Sequence, residues 1–155
     1  MDPLRPSSSH SFRASPLTDA LPIDMIRRTP RLGIDDAERL ARDRFGFVGR
    51  ATPLTSERDQ NFLIEGDAGR IVLKIANAAD ERAFLEAQQA VLGHLDGPVA
   101  TTARVVPALD GSSLVEIVDA DGQRHLAWAI TWLPGAPLAR GVRRSPALFE
   151  DLGRQ

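Results

Sequence analysis

The chain has 155 residues, 43% of them hydrophobic and 26% charged, with 19 basic residues against 21 acidic ones and a net charge of −2. That length supports one domain with a modest core, and the near balance of charge gives no global pull towards nucleic acid or anionic lipid. Cysteine is absent, which excludes disulfides and thiolate metal sites, and the three histidines, His10, His94 and His125, are too scattered to form a ligand set.

The opening stretch, MDPLRPSSSHSFRASP, is rich in Ser, Pro and Arg and has no apolar periodicity. It reads as a disordered leader. It lacks the apolar segment of a secretory signal. An organelle transit segment, or a start at Met25 instead of Met1, are the other readings. MIRRTPRLGI, residues 25–34, is a basic linker whose Arg27, Arg28 and Arg31 are either solvated or phosphate contacts. IDDAERLARDRFG then predicts a helix, with Asp35 as N-cap, Ala37, Leu40, Ala41 and Arg44 on one face, and Gly46 as terminator.

Three strands follow: FVGRATPL, NFLIEG and RIVLKIA, the last two joined by a Gly/Asp turn of the hairpin kind. Alternation in the third sends Ile71, Leu73 and Ile75 to one face and Val72, Lys74 and Ala76 to the other. A lysine sharing a face with apolar neighbours needs a partner or a ligand, or else snorkels from an edge strand. Residues 80–95, DERAFLEAQQAVLGHL, predict the longest helix, its stripe centred on Phe84, Gln88, Val91 and Leu95 and flanked by Leu85 and Leu92. RVVPAL, SLVEIVD and RHLAWAITWL are three further apolar runs, the last two joined through DADGQ. WLPGAPLA breaks the pattern, and SPALFEDLGRQ opens a last helix with Ser145 as N-cap and Pro146 at its first position. The fold class is therefore α+β: an antiparallel sheet of about five strands with one long helix after the third.

That order matches the small lobe of protein-kinase-like phosphotransferases. SERDQNF (56–62), VLKIAN (72–77), FLEAQQAVLGHL (84–95) and ITWLPGAPL (130–138) together resemble the aminoglycoside phosphotransferase/choline kinase family. Within it they are most similar to the hydroxylysine kinases and to the phosphotransferase domains fused to class III aminotransferases. The resemblance divides the chain into a leader and linker over 1–33, an N-terminal lobe over 34–134, and a hinge with the start of a C-terminal lobe over 135–155.

The resemblance implies a site. The turn from Leu54 to Phe62 covers the nucleotide phosphates, with Ser56 and Asn61 as donors; it has no glycine, unlike the GxGxxG loop of protein kinases, and its Glu57 and Asp59 repel phosphate unless they point away. Lys74 matches the lysine that contacts the α- and β-phosphates. Its partner on the long helix is either Gln88, by spacing from Leu95, or Glu86, by likeness to the LEAQ stretch. Thr131 and Leu133 match the hinge positions whose backbone groups meet the purine edge. Ile64, Val72 and Ile130 are candidates to sandwich the base, while Trp132 reads equally as core.

The family's catalytic-loop aspartate and metal-binding aspartate have no counterpart. His94 is followed by Leu95 and Asp96, but that HLD closes a helix, and neither His10 nor His125 opens an HGD-like motif. The expectation is thus the nucleotide-binding part of a small-molecule kinase, using ATP or GTP with magnesium whose ligands lie in the C-terminal lobe. No phosphotransfer is expected from these residues alone, and a hydroxylated amine such as hydroxylysine becomes a partner only when that lobe is supplied. No nucleic-acid or membrane partner is expected, and the cytosol is the expected compartment. The alternatives are a stand-alone nucleotide-binding or interaction module and a truncated gene product.

Overall fold

The structure, a computed structural model, describes residues 29–96, 102–135 and 145–154. Of the leader and linker expected over 1–33, residues 1–28 lie outside the described residues. The end of the expected linker is tied down: Leu32 exchanges two hydrogen bonds of 2.8 Å with the Gln60 side chain, and Pro30 is buried.

Helix α1 (Ile34–Phe45) buries Ala37, Ala41 and Phe45. Its N-cap is Gly33 and not Asp35, because the Asp36 carboxylate turns back to accept the Gly33 N–H at 3.0 Å. Gly46 ends it in the left-handed conformation, φ 67°. Strands β1 (Arg50–Leu54), β2 (Gln60–Gly66) and β3 (Gly69–Ile75) form an antiparallel meander, in which Pro53 is tolerated because β1 is the edge. The β2–β3 turn has two residues, so Gly66 pairs with Gly69 and the register of both strands is fixed. At the far end of β2 the backbone passes so close to the entry of β1 that a Cβ on Gly66 would stand 2.0 Å from the Val48 carbonyl oxygen.

Helix α2 (Arg82–Leu95) follows, then β4 (Val105–Val106), β5 (Val115–Val118), β6 (Arg124–Thr131) and helix α3 (Pro146–Leu152), capped by Ser145 as expected. The sheet has six strands in the order β1-β2-β3-β6-β4. β5 and β4 occupy successive stretches of β6, which accounts for the sixth strand beyond the expected five.

The sheet separates two apolar clusters. One face packs Phe62, Ile64, Ile71, Leu73, Ile75, Ala127 and Ala129 against α1. The other gathers Ala76, Leu114 and Trp128 around Leu85 of α2, with Leu92 and Ile130 packed alongside. Alternation in β3 thus holds as expected. Two expectations do not. Helix α2 is rotated from its anticipated stripe: Leu85 and Gln89 are buried, whereas Phe84 and Val91 stand 56% and 58% exposed. Gln89 turns inward because its side chain donates to the Ser113 carbonyl at 3.1 Å, so burial costs it no unmet donor. Ile64 is fully buried on the α1 face, since its partner in the ladder is Ile71 and not Val72.

Candidate functional site

The face of the sheet shared with α2 carries two rows of side chains running across β2, β3 and β6. In the first row Asn61 lies opposite Lys74, and Lys74 opposite Trp128. Two residues along, Leu63 lies opposite Val72, and Val72 opposite Ile130. Side chains two apart on a strand are separated by ~7 Å, so a row with an ammonium at its centre sits beside a half-buried apolar row. Leu63 takes the place expected for Ile64. The two-residue turn holds the signal: counting back from Gly66–Gly69 puts Leu63, not Ile64, across from Val72.

Lys74 is half-buried. Its Nζ lies 3.4 Å from Asn61 Oδ1 and 5.6 Å from the centroid of the Trp128 ring. Among the described residues no carboxylate pairs with it. Glu86 is exposed and faces Arg82 at 3.9 Å, on the flank of α2 that reaches Glu116 through the Arg82 side chain. Gln88 is on the opposite flank: with Ser56, Glu57, Arg58, Asp59, Asp80 and Phe84 it lines a cleft of about 300 Å³ between α2 and the β1–β2 loop. The fold therefore brings Asn61 to Lys74 directly, sets Ser56 and Gln88 around one cleft, and leaves Glu86 apart. A larger cleft of about 470 Å³ lies between α1 and β5, but it opens on the other side of the sheet from Lys74 and its Asp36 and Arg39 already pair with each other.

The β1–β2 loop owes its polar sequence to anchoring. Asp59 accepts the Asn77 N–H at 3.2 Å, the Asn77 side chain donates to the Arg58 carbonyl at 3.3 Å, and Arg58 pairs with Asp80 at 2.5 Å. Asp59 thus points to the end of β3, although with Glu57 and Asp80 it still lines the loop cleft. Arg58 and Asp80 also explain why α2 starts at Arg82: the Asp80 side chain is held by Arg58, and its N–H by the Asn77 carbonyl.

A second clamp holds the strand just after Lys74. His125 Nδ1 donates to the Ala76 carbonyl at 3.0 Å, and its Nε2 meets Asp119 Oδ2 at 3.1 Å, with both side chains almost wholly enclosed. Burial pushes the Asp119 carboxyl up, but the Gln123 N–H, the His125 ring and the Asp121 N–H outweigh it and hold the group below its ordinary value. No sequence motif marked this pair.

At the end of β6, the Thr131 N–H donates to the Arg104 carbonyl and its Oγ1 accepts the Arg104 N–H, so Thr131 is committed to the strand beside it. Leu133 is 44% exposed and makes no backbone hydrogen bond among the described residues. Among the described residues no group of three or more His, Asp or Glu comes together in a way that could hold a metal, and no helix is long and apolar enough to cross a membrane.

The profile of the Phosphotransferase enzyme family (APH) matches residues 50–155, well over half of the chain. The chain belongs to that family. It is 34% identical over 137 residues to hydroxylysine kinase of Xenopus laevis, a match covering 81% of this chain and 36% of the relative. Among solved structures, this phosphotransferase chain is similar to an amicoumacin kinase in complex with AMP-PNP, Ca2+ and Ami (TM-score 0.57, 17% identity, 67% of this chain and 32% of that one). It is also similar to a microcompartment-associated aminopropanol kinase (TM-score 0.56, 19% identity, 69% and 34%). The chain spans about a third of the length of the relatives it matches. Those likenesses account for the sheet and the helix inserted after β3 as features of one fold.

Proposed function

We propose that this chain is the nucleotide-binding part of a small-molecule kinase, and that the phosphates of ATP or GTP lie on the Lys74 row with the base along Leu63, Val72 and Ile130. The observation that carries this reading is the pair of adjacent rows on one open face. An ammonium with only neutral partners needs an anion, and the apolar row beside it offers a flat surface for a purine. Asn61 donates its amide to a phosphate oxygen, and Ser56 lies in the loop above. Gln88 fits as the polar helix residue that lines the loop cleft, whereas Glu86 pairs with Arg82 on the other flank. Leu133, which makes no backbone hydrogen bond among the described residues, fits the purine edge; Thr131 has spent its N–H on Arg104. Magnesium, when bound with the nucleotide, supplies charge neutralisation at the β- and γ-phosphates, and its ligands are expected outside the described residues.

The acceptor class follows from the relatives' chemistry. A hydroxylated amine or amino acid of the hydroxylysine type is the proposed substrate of the whole kinase, consistent with the 34% identity to a hydroxylysine kinase. The test of nucleotide binding is thermal unfolding with Mg-AMP-PNP and Mg-GMP-PNP. A ligand at about ten times its Kd should raise Tm by several degrees. Lys74→Ala should remove that rise and leave the unliganded Tm nearly unchanged. A wild-type chain that no nucleotide stabilises ends this reading.

A further inference from the structure

We propose that Trp128 is the positioning residue for Lys74: a buried indole face that seats the ammonium where a carboxylate holds it in protein kinases. This inference rests on the nucleotide-binding reading above and deepens it.

Trp128 lies directly opposite Lys74 in the ladder, so its ring and the lysine stem leave neighbouring strands on the same face. The ring is 3% exposed and packed in the cluster of Ala76, Leu85 and Leu114, which fixes its plane. At 5.6 Å from the centroid, Nζ is within the ~6 Å over which the negative face of an indole attracts a cation. The other partner is Asn61 Oδ1, at a long 3.4 Å. Both partners are neutral, so the ammonium keeps its whole charge for a phosphate. A carboxylate would share that charge. Of its three N–H donors only one is directed at Asn61, and the π face attracts the charge without consuming a lone-pair-directed bond. A free lysine loses rotamer entropy when it docks on a phosphate; one already resting on a fixed ring loses less. Ordinary core packing would also bury Trp128, so the test must separate ring electrostatics from ring volume.

The experiment uses the full chain carrying Trp132→Phe, which leaves Trp128 as its one tryptophan. Trp128 is replaced biosynthetically by increasingly fluorinated tryptophans, which drain the ring face of charge and hardly change its shape. Calorimetry then gives the Kd for Mg-AMP-PNP. The expected result is a stepwise rise in Kd, roughly three- to tenfold across the series, with Tm of the free protein almost constant. A flat or falling Kd, with Lys74→Ala still abolishing binding, would overturn the seat and leave the nucleotide site standing. Absence of nucleotide binding in every variant would remove both.

Discussion

At the scale of single residues, the strongest demands fall on Asp119. Its carboxylate accepts the N–H groups of Gln123 and Asp121, each within 3.0 Å, and meets His125 at 3.1 Å in an enclosed site. Asp119→Ala removes the acceptor of those two N–H groups and the partner of the buried His125 ring, and should cost about 3 kcal/mol in urea denaturation. Asp119→Asn keeps the acceptor oxygen and should cost less. The pH dependence has a definite sign. A carboxyl held below its ordinary value when folded stabilises the fold above the unfolded pKa of ~3.9, and that contribution fades as pH falls through the lower folded value. Wild-type stability should therefore drop on acidification below pH ~4 more steeply than that of Asp119→Asn. Equal acid slopes would show that Asp119 is not held as described. The pair was not legible in the sequence because its members meet only once β6 pairs with β5 and closes on the end of β3. Lys74 was legible, since alternation within one strand sufficed. Asn61 was legible from the resemblance. Leu63 was within reach through the two-residue turn, but Trp128 as its neighbour's partner needed the long-range register of β3 with β6.

At the scale of elements, α2 shows why apolar periodicity locates a helix better than it orients one. Phe84, Gln88, Val91 and Leu95 make one stripe and Leu85, Gln89 and Leu92 another, and each carries one glutamine among apolar residues. The second is the one inside, because Gln89 brings its own partner in the Ser113 carbonyl. Leu85→Ala should destabilise by about 2–4 kcal/mol, whereas Phe84→Ser and Val91→Thr should each change stability by less than about 0.5 kcal/mol. The reverse ranking by chemical denaturation would restore the expected orientation. The hairpin at the other end of the sheet sets a second test. With the Val48 carbonyl 2.0 Å from a Cβ on Gly66, Gly66→Ala forces backbone apart where β1 enters and should cost about 2 kcal/mol or more. The sequence marked that glycine as part of a turn; the close crossing behind it depends on how the two strands coil together.

At the scale of the whole molecule, the nucleotide site proposed above would be half of what phosphotransfer needs. Phosphoryl transfer needs a cation on the β- and γ-phosphates and a base near the acceptor hydroxyl, with metal ions spreading the charge that develops between them. Lys74 can provide part of the first. Within the described residues no carboxylate approaches it, and the sequence contains no HGD-like motif outside a helix end. Binding without turnover is the expected behaviour of these 155 residues. In Mg-ATP with hydroxylysine, the purified chain should be stabilised by nucleotide yet form no ADP above the rate in buffer and no phosphorylated product by mass spectrometry. The control is Lys74→Ala, which should lose the stabilisation and leave the background rate unchanged. Nucleotide-dependent product formation that Lys74→Ala suppresses would mean that a base and metal ligands exist among residues whose chemistry is read here as anchoring. Glu57, Asp59 and Asp80 would then be the first to replace by their amides, because they are the carboxylates that share the loop cleft with Ser56 and Gln88.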